Sequence, residues 1–131
     1  MPMQVELVSP ERILFSGEAD MVTCRTTAGD IAFLPHHAPF LGALDIHPVT
    51  ITLTGGGQER AAVHGGIVEV SNNRVILLSD EAELKDHIDV EQALRDKEDA
   101  ERRLMSGDDA DCEGQLRRAH VRLVVAGHPS V

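Results

Sequence analysis

The sequence predicts an α+β fold: an antiparallel β-sandwich or flattened barrel over residues 1–86, followed by an antiparallel two-helix hairpin over residues 87–131. Three observations carry that expectation. The apolar pattern changes near residue 86 from short β-rich runs to a helical period; Gly, Pro and Asn punctuate the first part; and neither Gly nor Pro occurs in residues 89–105. A chain of 131 residues holds one ordinary domain, or one domain with a small appendage, and leaves no room for a multidomain enzyme.

The strands come first. Val, Ile, Leu and Thr gather in residues 4–8, 19–25, 30–34, 49–53, 60–64, 67–70 and 75–78. Val49-Thr50-Ile51-Thr52-Leu53 alternates strictly, so one face enters a core while the threonines meet water, and Gly55-Gly56-Gly57 then supplies a hairpin tip. Asn72-Asn73 suits another tight turn, because Asn tolerates positive φ. Gly65-Gly66 precedes the strand-like Ile67-Val68-Glu69-Val70, which points to close backbone packing or a bulge.

Beyond Asp86 the composition turns to Ala, Leu, Glu, Lys and Arg, which are good helix formers. Asp89 is the expected N-cap of the first helix, with Gln92 three residues on, and Ser106-Gly107 is its expected stop. Asp108 or Asp109 is expected to cap the second helix, which should end before Gly127 and Pro129. Cys112, Leu116, Ala119, Leu123 and Ala126 recur as a seam, faced by Val90, Ala93, Lys97, Ala100 and Leu104. Alanine makes up much of that seam, so at about 0.8 kcal/mol per buried methylene the pair is weakly self-sufficient. Two helices of about eighteen residues would each reach about 27 Å if the pair opened.

Composition narrows the function. The chain is 42% hydrophobic and 26% charged, which is globular, but only 2% aromatic with no Trp or Tyr, so aliphatic packing must carry the core. A formal charge of −10 opposes binding to nucleic acid or anionic lipid and favours proteins or cations as partners. The charge is also divided: residues 81–113 hold 13 acids and 5 bases, whereas residues 114–131 hold no acid and three arginines, Arg117, Arg118 and Arg122. That makes the last helix either a solvated basic face or a surface for an acidic partner or a phosphate. No run of eighteen apolar residues occurs and the opening Met-Pro-Met-Gln-Val lacks signal-peptide character, so the expectation is a soluble, unexported chain. Cys24 and Cys112 have no close partner in sequence and read as reduced, buried thiols.

Catalytic chemistry has no candidate. No Ser sits in G-x-S-x-G, no Cys neighbours a His, and both phosphate-loop patterns are missing. His36, His37, His47 and His64 invite a metal hypothesis, but adjacent side chains of an extended segment point apart and no H-x-H or H-E-x-x-H occurs, so no metal site is expected. A free-standing small-ligand or metal-binding β-domain with a helical interaction arm stays open as the alternative.

Three segments taken together carry a resemblance: residues 28–40 (AGDIAFLPHHAPF), residues 64–70 (HGGIVEV), and residues 75–80 (VILLSD) leading into His87-Ile88-Asp89-Val90. In order and over almost the whole chain, they resemble the epsilon subunit of the bacterial F-type rotary ATP synthase. The resemblance implies a non-catalytic rotor subunit without a cofactor. Its sandwich would be held by the gamma subunit and rest on the c-ring, and its helical pair would either fold against the sandwich or extend into the alpha/beta catalytic head and block ATP hydrolysis. It also implies an indirect, peripheral attachment to the cytoplasmic face of the cell membrane, and no nucleic acid.

Residue by residue, the resemblance puts Asp30 at the ring-facing acidic position with His37, Ala38 and Pro39 close by, and assigns Arg117, Arg118 and Arg122 to the beta subunit when the arm is extended. The nucleotide motif of some relatives maps onto Glu83, Asp89, Arg118 and Arg122, but Gln92 stands where that motif has Arg. Losing one charge-assisted partner costs about 1.5–3 kcal/mol, which argues against regulatory ATP. His36 replaces the usual Gly of P-G-H-A-P, Ala32 a frequent Gly, and His47-Pro48 a common Pro-Gly turn.

Overall fold

A computed structural model describes residues 1–107 and 111–128. The strands are β1 (Met3–Val8), β2 (Ile13–Thr26), β3 (Gly29–Phe33), β4 (Phe40–Leu53), β5 (Gln58–Ser71), β6 (Arg74–Ser79) and β7 (Ala82–Leu84). One 3-10 turn, Lys85–His87, leads to α1 (Val90–Met105) and α2 (Cys112–Ala126). The α+β expectation of a β-sandwich followed by two helices is met.

The strands form one sheet in the order β1-β6-β5-β4-β2-β3, with β7 on the first half of β5, and β1 also pairs with β2, which closes the sheet on itself. Every pairing is antiparallel except β1 with β6, which is parallel. Strand alternation then defines the inside. In β1, Met3, Val5 and Leu7 are buried and their neighbours are not. Phe33, Val22, Ile51, Val63, Val75 and Leu77 join them in an aliphatic core with one aromatic ring at its centre.

Several strands exceed their sequence signal. β2 begins at Ile13 rather than Ala19, and β4 at Phe40 rather than Val49. Gly17, Gly42 and Pro48 weaken the local pattern there, while cross-strand partners (Leu7 for Phe15, Val70 for Phe40) supply the order. Pro48 falls in the stretch where the β2–β4 ladder is interrupted, where a missing N–H is tolerated. The two strands expected at 60–64 and 67–70 are one strand, β5, bent at Gly65-Gly66. There its neighbour changes from β7 to β6, and both glycines take positive φ. A Cβ on Gly66 would meet the Leu78 carbonyl oxygen at 2.1 Å, so the expected close backbone packing is real.

Asp89 caps α1 as expected, its carboxylate accepting the Gln92 N–H at 3.0 Å. The helix stops at Ser106-Gly107, and α2 stops at Gly127 in the left-handed region. Asp108 and Asp109 lie outside the described residues, as does Pro129. The residue before α2 is Asp111, left-handed, with no side-chain cap.

Of the predicted seam, Cys112, Ala119, Leu123, Ala93 and Ala100 are buried. α2 has a second apolar face as well. Val121 and Val125 pack with Ala62 of the sheet, flanked by Ile46 and Ile88, so α2 lies between α1 and strands β4 and β5. A helix apolar on two sides is buried on two sides.

Candidate functional site

Two surfaces concentrate chemistry: the junction between hairpin and sandwich, and the outer face and loops of the sheet. At the junction, α2 presents its arginines to acids from elsewhere in the chain. Arg122 donates from Nε to Glu83 of β7 at 2.5 Å and from a terminal nitrogen to Asp96 of α1 at 3.2 Å, with Glu81 at 4.0 Å. One planar guanidinium thus ties three elements together, which an ammonium could not do in the same geometry. The acids raise the Arg122 pKa against the effect of burial.

His64 lies behind this cluster, its side chain only 2% exposed and its Nε2 4.0 Å from Glu83. Neither ring nitrogen has a hydrogen-bond partner. His64 first and then Arg122 hold the Glu83 carboxyl below the usual carboxylate range against burial. At 4.0 Å the histidine contact is electrostatic only, so Arg122 makes the bond that the geometry supports.

Arg117 reaches Asp45 of β4 at 2.7 Å. Burial raises the Asp45 pKa, but the Arg117 bond, the Ile46 N–H and Arg25 outweigh it and leave the carboxyl low. Arg118 pairs with Asp111 at 2.8 Å, within the hairpin. All three arginines expected to meet an outside acidic partner are therefore occupied by acids of this chain. Of the four nucleotide candidates, the fold joins Glu83 and Arg122. Asp89 is engaged as a helix cap and Arg118 with Asp111.

The sheet-loop candidates are divided. Asp30 stands near the start of β3, paired with Arg25 at 2.6 Å, and that bond depresses its carboxyl. His37, Ala38 and Pro39 follow the other end of β3, past Phe33, about 10 Å further on at strand rise. Asp30 and this loop therefore stand toward opposite ends of β3. The loop is a built feature nonetheless. His36 takes a positive φ and donates its N–H to Asn73 at 2.9 Å, Asn73 donates to the Pro2 carbonyl, and the His37 ring meets Phe33 edge-on at 5.0 Å.

A surface that sequence reasoning missed lies across four strands. Ala43 of β4, Ile67 of β5, Leu78 of β6 and Val8 of β1 stand opposite one another in register and point outward, with Leu41 beside them. Leu41 is 71% exposed, Ile67 48% and Leu78 46%, an apolar row on a chain of charge −10. The unbroken run Val75-Ile76-Leu77-Leu78 was the available signal, since a strand apolar at every position has both faces covered. Among the described residues, no group of three or more His, Cys, Asp or Glu is placed to hold a metal. Cys24 and Cys112 are both buried, and burial, then Asp30, pushes the Cys24 thiol up to about 11.

The family model for the ATP synthase delta/epsilon chain β-sandwich domain matches residues 2–85. The ATP synthase epsilon chain of Streptomyces griseus is 48% identical over 121 residues, covering 92% of each chain. This chain belongs to the ATP synthase epsilon chain family. The epsilon chain of Streptomyces coelicolor is 46% identical over 124 residues (95% of this chain, 94% of the relative), and that of Moorella thermoacetica 40% over 129 (95% and 96%). A chain in the mitochondrial ATP synthase of Euglena gracilis shares the fold with a TM-score of 0.84 at 22% identity, over 97% of this chain and 82% of that one. An epsilon chain is a non-catalytic subunit, which replaces the free-standing ligand-domain alternative. It is part of a membrane-associated complex, and no helix among the described residues is long and apolar enough to cross a bilayer.

Proposed function

We propose that this epsilon chain is a rotor subunit of the central stalk, with its sandwich transmitting rotation between the c-ring and the alpha/beta catalytic head and its helical pair regulating hydrolysis. It works on the cytoplasmic face of the bacterial membrane and is attached only through the complex. The gamma subunit takes the apolar row of Ala43, Ile67 and Leu78, because an exposed apolar row calls for a protein partner. Asp30 and the loop His37-Ala38-Pro39 supply polar contacts toward gamma and the ring from the two ends of β3.

The observation that carries the regulatory reading is the docking of α2 by arginines already matched to acids. Releasing the hairpin frees Arg117 from Asp45 and Arg122 from Glu83 for the acidic surface of the beta subunit, with Arg118 beside them on α2, so docking and inhibition compete for the same groups. Regulatory ATP is not part of the proposal, since Arg122 is matched to Glu83 and Asp96 and Asp89 to its own helix.

The test is ATP hydrolysis by the cognate complex depleted of this subunit, after adding back the full chain or a chain stopped at Asp86. The sandwich core contains no hairpin residue, so the short chain keeps its own core. Both are expected to rebind, and only the full chain to slow hydrolysis. Equal rates with both bound would leave the helices without an inhibitory role.

A further inference from the structure

A cleft of about 550 Å³ opens between the hairpin and β4, within the range of about 300–1,000 Å³ usual for small-molecule sites. Both walls are aliphatic: Ile46 and Pro48 from β4, and Leu116, Val121 and Val124 from α2. Polar side chains complete the lining: Arg25, Lys97 and Arg117, with Glu101, His47 and His120. Asp30 and Asp45 answer Arg25 and Arg117 from outside the lining, so what the cleft offers is guanidinium N–H donors rather than net positive charge. Burial and then Arg25 hold His47 below its ordinary pKa, outweighing Asp30 and Asp45.

No Phe lines the cleft and the chain has no Trp or Tyr, so its flat faces are the His47 and His120 rings and the guanidinium planes, and its walls are otherwise aliphatic. Arg117 uses one amino group on Asp45, and Arg25 meets Asp30 through Nε and one amino group. A guanidinium carries five N–H donors, so both line the cleft with donors to spare for a planar carboxylate.

We infer that this cleft binds an aliphatic monocarboxylate, with its chain against Ile46, Pro48, Leu116 and Val124 and its carboxylate between Arg25 and Arg117, and that occupancy holds the hairpin docked. The site exists only while β4 and α2 face each other. By mass action, free ligand at ten times its Kd multiplies the docked-to-undocked ratio about elevenfold. The binding is independent of the regulatory proposal above; only its consequence for hydrolysis rests on that reading.

The experiment is a titration of the full-length chain with hexanoate, octanoate and decanoate below their micellar concentrations. NMR follows the Ile46, Leu116, Val121 and Val124 methyls and the His47 and His120 rings, with decanol, decyl phosphate and ATP as comparison ligands. Saturable shifts confined to these groups are expected, with affinity rising about fourfold per methylene, at least tenfold weaker binding of decanol, and slower hydrogen exchange in α2. His120→Glu, a change at the exposed rim that leaves both arginine pairs intact, should weaken decanoate at least fivefold. The inference is overturned by absence of saturation, by decanol binding as well as decanoate, or by an unaffected His120→Glu chain. Tighter binding of decyl phosphate or ATP at the same methyls would overturn the carboxylate assignment. Copurification with gamma tests the rotor reading separately, so the two can fail independently.

Discussion

Sixteen buried apolar side chains, from Met3 to Leu77, meet in the sandwich core, whereas the hairpin rests on the sheet through three, Ala62, Val121 and Val125, with a ring of ion pairs around them. The first region is stabilised by area removed from water, at roughly 25 cal/mol per Å², and by a sheet closed on itself. The second combines little apolar area with charges whose worth depends on pH and salt. One chain thus carries a broadly buried platform and a hairpin held on it by little apolar area, which is the division that the regulatory role proposed above requires.

The largest expected effect is on the platform. Leu77→Ala should cost about 2–5 kcal/mol in urea unfolding, and Gly66→Ala at least as much, because its Cβ must displace β6 backbone. A loss below about 1 kcal/mol for both would erase the contrast between the regions. Next comes Val125→Asp, which puts a carboxylate among Ala62 and Val121. It should speed hydrogen exchange throughout α2, with a docking loss of about 2–4 kcal/mol, and leave the sandwich transition in place. An equal shift of both transitions would mean that the two regions unfold as one.

Arg122→Ala leaves Glu83 and Asp96 without their shared partner and should weaken docking by about 1.5–3 kcal/mol. Arg122→Lys should recover only part of that, and a double-mutant cycle with Asp96→Ala measures the coupling.

Acid should act chiefly on the arm, since the depressed Asp30 of the sandwich is paired in solvent at the surface. Glu83 and Asp45 have depressed pKa values when docked, so the undocked state binds protons more readily. Their contribution is complete above the ordinary carboxylate range of about 4 and is lost as pH falls through the docked values. An acid titration should show α2 exchanging faster below about pH 4 while the sheet signal persists. The smallest effect belongs to Asp45→Asn, whose pair with Arg117 is half in solvent. It should cost about 0.2–1 kcal/mol, and 1 M salt should remove the difference.

Much of this was legible before the fold was known, wherever the signal was local. Asp89 announced itself as a cap by its place before a run without Gly or Pro, and Gly65-Gly66 as a tight approach. The candidate arginines stood out because no acid follows Glu113. What they bind did not, because Arg122 and Glu83 are 39 residues apart and Arg117 and Asp45 are 72. Asp30 and the His37 loop were set near each other by resemblance alone, and they stand toward opposite ends of the extended β3. Asp89 was a nucleotide candidate by motif and is a cap by geometry, since a carboxylate before a helix meets free N–H groups whatever else it resembles.

By itself, the sequence determined the element types, their order, the cap and stop of α1, the turns and the division of charge, because periodicity, backbone freedom at Gly and Asn, and capping act within a few residues. Tertiary structure alone decided that β1 closes the sheet, that residues 13–18 and 40–48 are strand, that α2 buries two faces, and that its arginines are answered within the chain. Each of those outcomes depends on a partner distant in sequence, and such pairing forms only when the burial it brings exceeds the entropy of closing the loop between them.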